Sequence, residues 1–544
     1  MRKRVESYRR IRDGTGWAAA VWLTLGLAGC GAPQFRPTPE LAVLEAETHQ
    51  IEAVQLTDQS KSTPVTVEEA TKAAVKANAE PNQPRRAMNL TLEDVRAAAL
   101  TNNLDLKVRL IDPAIAQLDI DRERARFESV FRTSASYGRS ELQQGGSATS
   151  RALSAGLETP LQTGGSVAVD VPLAKDNGVA QAAASVHVFQ ELLRGAGIRV
   201  NSYYIHIAGY DKGAVDAVTK LRAIEILGGA DIAYWQLYTA RKQLDISREQ
   251  YKMAENQVKY AHCKVAAGSA GKIEIVYAEA GLSSRLDAMI RAETFVRDRE
   301  RDLKRIMNRA DLPLNVPVDF NTVTHPNPKG LDLDQEALVQ TALESRMEMA
   351  ELEFRLAIGD IQIAQARNDL LPLLTMEYSY AARGQAGNVG GAFDDLFQDP
   401  RQDHRIGLSA TIPLGNGVAK AQYQQARLRQ MQTQLYRQQQ EQRIRQEVYD
   451  ALDGLQQSWR QILAAEQGVV TAERDYRVNQ SQFRLGRRDS TRVLEAASRL
   501  GDAQMRQISA YANYEITQVY LARATGTLLG RERVLLEPAV LEGK

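Results

Sequence analysis

Apolar residues recur every seven positions along several long stretches of the chain. One row of positions comprises Ala230, Leu237, Leu244, Tyr251 and Val258, and a second row, offset by three residues, comprises Ala233, Ala240, Ser247, Ala254 and Ala261. Two comparable rows run through 455–483, and a further row of small residues follows in 496–524. This period predicts long α-helices that pack along a coiled-coil seam, where small residues permit close approach.

A glycine interrupts each long helical pattern, and a second helical pattern follows it. The two interruptions read Val265, Ala266, Ala267, Gly268 and Arg484, Leu485, Gly486, Arg487. Glycine suits a helix C-terminus, so each interruption predicts the tip of a helical hairpin. The glycines lie 218 residues apart, and each is followed ten residues later by an alanine. A repeat of this length indicates a duplicated domain.

Upstream of each hairpin the period changes from helical to two. Apolar and polar residues alternate around 131–137, 153–158, 166–171 and 184–188 in the first half, and around 374–380 and 405–412 in the second. This alternation predicts amphipathic β-strands, with the strands within 153–171 forming an additional hairpin. Strands of this kind fit a transmembrane barrel with a wet lumen. Without the additional hairpin, four strands remain in each chain. Four strands cannot close a barrel alone, so several copies of the chain must share one barrel.

The N-terminus has the features of an export signal. Six basic residues within the first twelve positions precede an apolar run at 17–28, which ends in the sequence Leu-Ala-Gly-Cys at Cys30. This order predicts a secretory signal over 1–29. The last four residues resemble the bacterial lipobox, which implies lipidation of Cys30 and, with Gly31 next, an outer-membrane address. Residues 30–88 are expected to form a lipid-anchored extended tail because prolines punctuate them.

Composition excludes several other classes of protein. The formal net charge is +1, so the chain lacks the excess of basic residues that is typical of nucleic-acid-binding proteins. The sequence from Gly268 to Lys272 lacks the glycine, hydroxyl residue and preceding strand of a phosphate loop. His262 and Cys263 are adjacent on a helical pattern and do not face one another, so no metal site is expected there. The sequence therefore predicts neither an enzyme nor a cofactor.

The order of helix, strands and long helical hairpin, repeated behind a lipobox, resembles the TolC family of outer-membrane efflux channels. The specific elements are the two tips and the strand–helix junctions LLRGAG at 192–197 and IPLGNG at 412–417. Residues 89–330 form the first repeat, 331–530 the second and 531–544 a C-terminal tail. Glu191 departs from the pattern, since similar junctions often have proline there, and the first β region is long.

The resemblance implies a mainly α fold with a β membrane part, built from a duplicated helix–strand–strand–helix repeat. It implies a homotrimer in the lipid of the outer membrane, with a twelve-stranded transmembrane β-barrel that continues into a long periplasmic α-helical barrel. It also implies two partners, a periplasmic adaptor (membrane fusion protein) and an inner-membrane pump. Drug efflux, metal efflux and type I protein secretion share this subunit, and the sequence does not separate them.

The resemblance also implies roles for particular residues. Both tips, Val265 to Gly268 and Arg484 to Arg487, are expected to dock the adaptor. Glu274 and Arg488 match positions that help to close a periplasmic gate, and Glu495 matches an acidic aperture position. Arg492 stands where an acid is expected, which implies a weaker or internally paired ring. The alternative is a structural envelope coiled-coil lipoprotein without channel activity, which explains the seven-residue period but not the amphipathic strands.

Overall fold

A computed structural model describes residues 86–141 and 147–531 of the chain. The predicted signal over 1–29, Cys30, the tail up to residue 85 and residues 532–544 lie outside the described residues. The first repeat comprises β1 (Arg86–Leu90), α1 (Leu92–Asn102), α2 (Leu104–Arg109), α3 (Asp112–Ala125), β2 (Val130–Glu141), β3 (Ser147–Leu161), β4 (Gly165–Asp176), β5 (Val179–Glu191), α4 (Ile198–Asn201), α5 (Tyr203–Ala266) and α6 (Ile273–Met307). Strand β6 (Val318–Thr322) follows α6, and the second repeat comprises α7 (Gln335–Ser345), α8 (Met347–Asn368), β7 (Leu373–Ala386), α9 (Val389–Gln398), β8 (Arg401–Thr411), α10 (Gly417–Arg484), α11 (Ser490–Ala524) and α12 (Leu528–Arg531).

The long helices form the two predicted hairpins, α5 with α6 and α10 with α11. Helix α5 has 64 residues and α10 has 68, which correspond to lengths of about 96 and about 102 Å. The predicted seam is buried: Ala230, Leu237 and Ala240 are 0% exposed, and Ala496 is also 0% exposed. Small residues of the seam are therefore buried between packed helices.

A short parallel ribbon and helix α1 pack against the middle of α5. Strand β1 pairs with β6 from Arg86 to Leu90, so regular structure begins before the expected repeat boundary at residue 89. Thr91 caps α1 in a capping box with Asp94. The carboxylate of Asp231 is fully buried and accepts two hydrogen bonds from Arg96, at 2.7 and 2.8 Å. This ion pair fastens α1 to α5.

The strands form one continuous antiparallel sheet in the order β2-β3-β4-β5-β7-β8. The sheet has six strands, whereas the resemblance implies four from each chain. The two additional strands are β3 and β4, which form the hairpin that the alternation within 153–171 predicts. Strand β5 pairs directly with β7, so the sheet joins the two repeats.

The register places apolar residues on one face of the sheet and polar residues on the other. In the edge strands the apolar face includes Phe131, 68% exposed, and Ile406, 77% exposed. On the opposite face Arg132 forms an ion pair with Glu158 at 2.9 Å, and Ser134 hydrogen-bonds Ser154 at 2.8 Å. This alternation is that of a barrel strand between lipid and water.

The stretch between β7 and β8 is rich in glycine but contains a helix, α9. Asn388 caps α9 by accepting a hydrogen bond from the backbone of Gly391 at 2.7 Å. Ala392 and Leu396 of this helix pack against Ala180 and Ala182 of β5. Tertiary packing on this small-residue patch thus stabilises a helix despite two glycines in it.

Across the described residues, no helix is both long enough and apolar enough to cross a membrane.

Candidate functional site

The two hairpin tips have the same backbone geometry. At the first, the amide of Gly268 donates to Val265 and that of Ser269 to Lys264, each at 3.0 Å. At the second, the amide of Gly486 donates to Phe483 at 3.0 Å and that of Arg487 to Gln482 at 2.9 Å. Each pair of bonds forms a Schellman motif, which requires a left-handed residue after the helix.

The left-handed residue is the predicted glycine in both tips. Gly268 has a φ of +68° and Gly486 a φ of +73°. Only glycine adopts this conformation without a steric cost. The repeat of the turn at an interval of 218 residues therefore has a specific backbone cause.

The predicted docking residues lie on the surface of these turns. Val265 and Ala266 end α5, Ala267 caps it, and Ala266, Ala267 and Gly268 are exposed. Arg484 ends α10, and Leu485 follows with 63% of its surface exposed. Arg484, Arg487 and Arg488 are all exposed. The second tip thus presents a basic surface around one exposed leucine, and the first presents a small, nearly uncharged one.

An aromatic contact, which the sequence analysis did not single out, holds the two tips together. The ammonium of Lys264 lies 4.0 Å from the ring centroid of Phe483, and the ring of Tyr260 lies 5.2 Å from the same ring. Phe483 is 6% exposed. A cation over an aromatic face contributes about 0.5–2 kcal/mol. The seven-residue period identified Phe483 as a seam residue, but no local signal identified Lys264 as its partner.

An apolar ridge at the start of α6 was also missed as a functional feature. Ile273, Val276 and Tyr277 are 55, 55 and 53% exposed. Their spacing of three and four residues places them on one side of the helix. From sequence this spacing indicates a face buried in the core, and only the structure shows that the face is open within one chain.

The four predicted gate residues lie close to the tips but have partners in their own chain. Glu274 accepts a hydrogen bond from the hydroxyl of Ser490, and Arg488 donates to Asn479 at 3.1 Å. Arg492 forms an ion pair with Glu495 at 3.2 Å, in which the two side chains are 60 and 45% exposed. Gating itself stays a prediction.

No candidate metal site lies at the tips among the described residues. Within 86–141 and 147–531, no group of three or more His, Cys, Asp or Glu side chains is arranged to hold a metal ion. Cys263 is a free, exposed thiol near the first tip.

Comparisons with known proteins agree with this fold. Residues 338–527 match the family described as Outer membrane efflux protein. The TolC outer membrane protein of Escherichia coli (strain K12) is 24% identical over 212 residues, which span 38% of this chain and 42% of that protein. The matched region thus covers less than half of that relative.

Solved structures of outer-membrane channels share the fold over most of the chain. CusC superposes with a TM-score of 0.63 and 17% identity, over 80% of this chain and 92% of CusC. The Campylobacter jejuni CmeC outer membrane channel gives 0.62 and 17%, over 87% of this chain and 90% of CmeC. The resemblance to the TolC family is confirmed, and the family is one of transport conduits. With the family match in its second repeat and this fold over both repeats, the chain is similar to outer membrane efflux proteins.

Proposed function

We propose that the chain is the outer-membrane exit duct of a tripartite efflux or type I secretion system. Three copies form a passive conduit that docks a periplasmic adaptor and an inner-membrane pump. The observation that carries this proposal is the continuous sheet, apolar on one face and polar on the other, whose strands lead into helices of about 100 Å. Such helices are far longer than a bilayer is thick, so they reach into the periplasm.

The sheet requires further copies of the chain. Strands β2 and β8 are its edges, and no other strand of the described chain pairs with their outer sides. Unpaired backbone groups in hydrocarbon each cost several kcal/mol, and closing the barrel with neighbouring copies removes them. Phe131 on β2 and Ile406 on β8 then face lipid, where their large exposed surfaces are stable.

The tips are the docking surfaces for the adaptor. Leu485, 63% exposed, and the ridge of Ile273, Val276 and Tyr277 supply apolar contacts at the end of the helical hairpins. The surrounding arginines supply charge that selects an acidic partner surface. Glu274, Arg488, Arg492 and Glu495 border the same end, where contacts between neighbouring copies close the duct at rest.

Lipidation at Cys30 anchors the chain to the outer membrane. The proposal rests on the order of basic residues, apolar run and Leu-Ala-Gly-Cys in the sequence. Cys30→Ala should abolish labelling by a radioactive fatty acid and processing at that site. Export should survive in part, because the barrel inserts by itself. Labelling that persists in the variant contradicts the anchor.

The alternative, a structural coiled-coil lipoprotein of the envelope, does not explain why the chain has an amphipathic sheet. Extraction of membranes separates the two functions. The duct should fractionate with the outer membrane and run as a trimer that dissociates on heating, whereas a coiled-coil lipoprotein should behave as a rod without a heat-resistant trimer. Recovery of such a rod, with no trimer, would overturn the proposed function.

A further inference from the structure

We infer that the barrel wall of the assembled duct has eighteen strands, because the β3–β4 hairpin is part of the wall. The inference rests on the proposed function, which supplies the three copies. Each chain contributes a sheet of six strands, so three copies give eighteen in place of the twelve that the resemblance implies.

Hydrogen bonding places the hairpin inside the sheet. Among the described residues, strand β2 pairs only with β3, along its whole length from Val130 to Glu141. Strand β5 pairs with β4 on one side and with β7 on the other. Within the described residues β2 and β5 are therefore separated by two strands. A hairpin that projected from a twelve-stranded wall would leave β2 and β5 paired with each other.

The insertion preserves the facing of every strand. Phe131 lies opposite Leu157, Leu157 opposite Val169, and Val169 opposite Val186. These four apolar residues form one row across the sheet. Two added strands also keep β2 and β5 antiparallel. The hairpin therefore continues the apolar face of the wall, and the charged side chains on that face, Arg151 and Lys175, lie opposite each other near the β4–β5 turn.

The polar face of the hairpin leaves the lumen open. Its residues are mostly small and include Ser150, Ala152, Ser154, Gly156, Ser166 and Ala168. A Cβ added at Gly156 would lie 1.9 Å from a carboxylate oxygen of Asp170, directly across the strand pair. Glycine at this position thus accommodates Asp170 on the lumen side.

A wider wall changes the size of the solutes that the membrane segment can pass. Barrel diameter grows roughly linearly with strand number, so eighteen strands give about one and a half times the diameter of twelve. Barrels of about 16–18 strands enclose an aqueous channel. The cargo class that fits this segment is therefore large hydrated solutes, including polypeptide segments, rather than only small molecules.

Two pairs of introduced cysteines distinguish an eighteen-stranded from a twelve-stranded barrel wall in the assembled protein. Ser134 lies directly opposite Ser154, with the two hydroxyl oxygens 2.8 Å apart. If β2 paired with β5 instead, the register carried through β3 and β4 would bring Ser134 opposite Ala183. We would introduce Ser134→Cys with either Ser154→Cys or Ala183→Cys, in a Cys263→Ala background that removes the exposed free thiol. The purified trimers are oxidised and mapped by mass spectrometry.

The eighteen-stranded wall predicts a disulfide within each protomer for 134/154 and none for 134/183. The reverse result overturns the inference while leaving the duct intact. Electron cryo-microscopy of the unaltered trimer gives a direct count: eighteen strands support the inference, and twelve contradict it. A preparation that contains no trimer contradicts both the inference and the proposed function, so the two failures are distinguishable.

Discussion

The hydroxyl of Ser490 donates a hydrogen bond to the carboxylate of Glu274, and this bond joins the start of α11 to the start of α6. Ser490 is 1% exposed, so the bond is shielded from water. Glu274 and Ser490 belong to different repeats. The contact therefore fixes the spacing of the two hairpins within one chain at the end where the duct is proposed to close.

Ser490→Ala should open the duct at its periplasmic end. A hydrogen bond to a charged group contributes about 1.5–3 kcal/mol, so its loss favours the open arrangement by about tenfold or more in each protomer. Glu274→Ala combined with Arg488→Ala should act in the same direction. Single-channel conductance in planar bilayers measures the effect, with the exposed Ser481→Ala on α10 as the control. Unchanged conductance in both variants places the gate elsewhere.

Arg492 should mask the charge of Glu495. The two side chains form an exposed ion pair at 3.2 Å, so the carboxylate is partly neutralised. We expect Arg492→Ala to raise cation preference and block by multivalent cations, and Glu495→Ala to lower both. Reversal potentials in a salt gradient measure the preference. Equal selectivity in the two variants would show that neither side chain faces the path of the ions.

The tip glycine should be essential for docking but not for assembly. A side chain at Gly486, where φ is +73°, costs about 1–2 kcal/mol and distorts the exposed turn. Gly486→Val should therefore leave the trimer intact and abolish capture of the adaptor by a photocrosslinker at Leu485. Gly468→Ala is the matched control, since a Cβ there meets no atom within 4 Å and the helix gains about 0.5–1 kcal/mol. Normal capture in Gly486→Val argues against docking at this tip.

The buried pair of Arg96 and Asp231 should stabilise the fold strongly. Asp231→Asn removes the fully buried carboxylate charge that Arg96 contacts, and loss of one partner of a buried ion pair costs about 3–5 kcal/mol. The midpoint of thermal unfolding, followed by helical circular dichroism, should fall accordingly. Asp287→Asn removes an exposed pair with Arg291 and should cost no more than about 1 kcal/mol. Similar midpoints in the two variants would show that α1 is not held by this bond.

The junction of α7 and α8 should become less stable in acid. Burial tends to raise the pKa of Glu348, but the hydrogen bond and charge of Arg346 outweigh it and hold that pKa below the ordinary value of 4.5. A depressed pKa contributes stability that is present above 4.5 and is lost as the pH falls through the folded value.

The Glu348→Gln variant tests this sign. The unfolding midpoint of the unaltered protein should exceed that of the variant at neutral pH, and the difference should shrink as the pH falls below 4.5. Glu351→Gln on the same helix, whose partner Arg355 is 61% exposed, should give a smaller difference. A difference between the unaltered protein and Glu348→Gln that is constant with pH would contradict the coupling.

The sequence predicted the repeating elements because their signals are local. Seven-residue periods located the long helices, alternation located the strands including the added hairpin, and single glycines located both tips. These features follow from side-chain periodicity and from one backbone conformation, φ above zero at Gly268 and Gly486. Each is visible in one continuous stretch of the sequence.

The remaining features depend on contacts distant in sequence. Helix α9 forms because Leu396 packs on Ala182, more than two hundred residues away. The partners of Phe483 and Glu274 lie in the opposite repeat, so the spacing of residues along the sequence does not predict these contacts. The pairing of β1 with β6 joins residues 232 positions apart, as the contact between Asn89 and Asn321 shows. Such pairs are set by the packing of segments far apart in the chain, which the local pattern of neither segment specifies.

Conductance of the purified chain in planar lipid bilayers tests the central claim most directly. Addition of the trimer should produce discrete, long-lived current steps, and opening variants at Glu274 and Arg488 should enlarge them. The steps should also persist when lipidation is removed by Cys30→Ala, because the barrel inserts by itself. A trimer that leaves the bilayer current at baseline, in the unaltered protein and in the opening variants alike, would contradict the account of this chain as a duct.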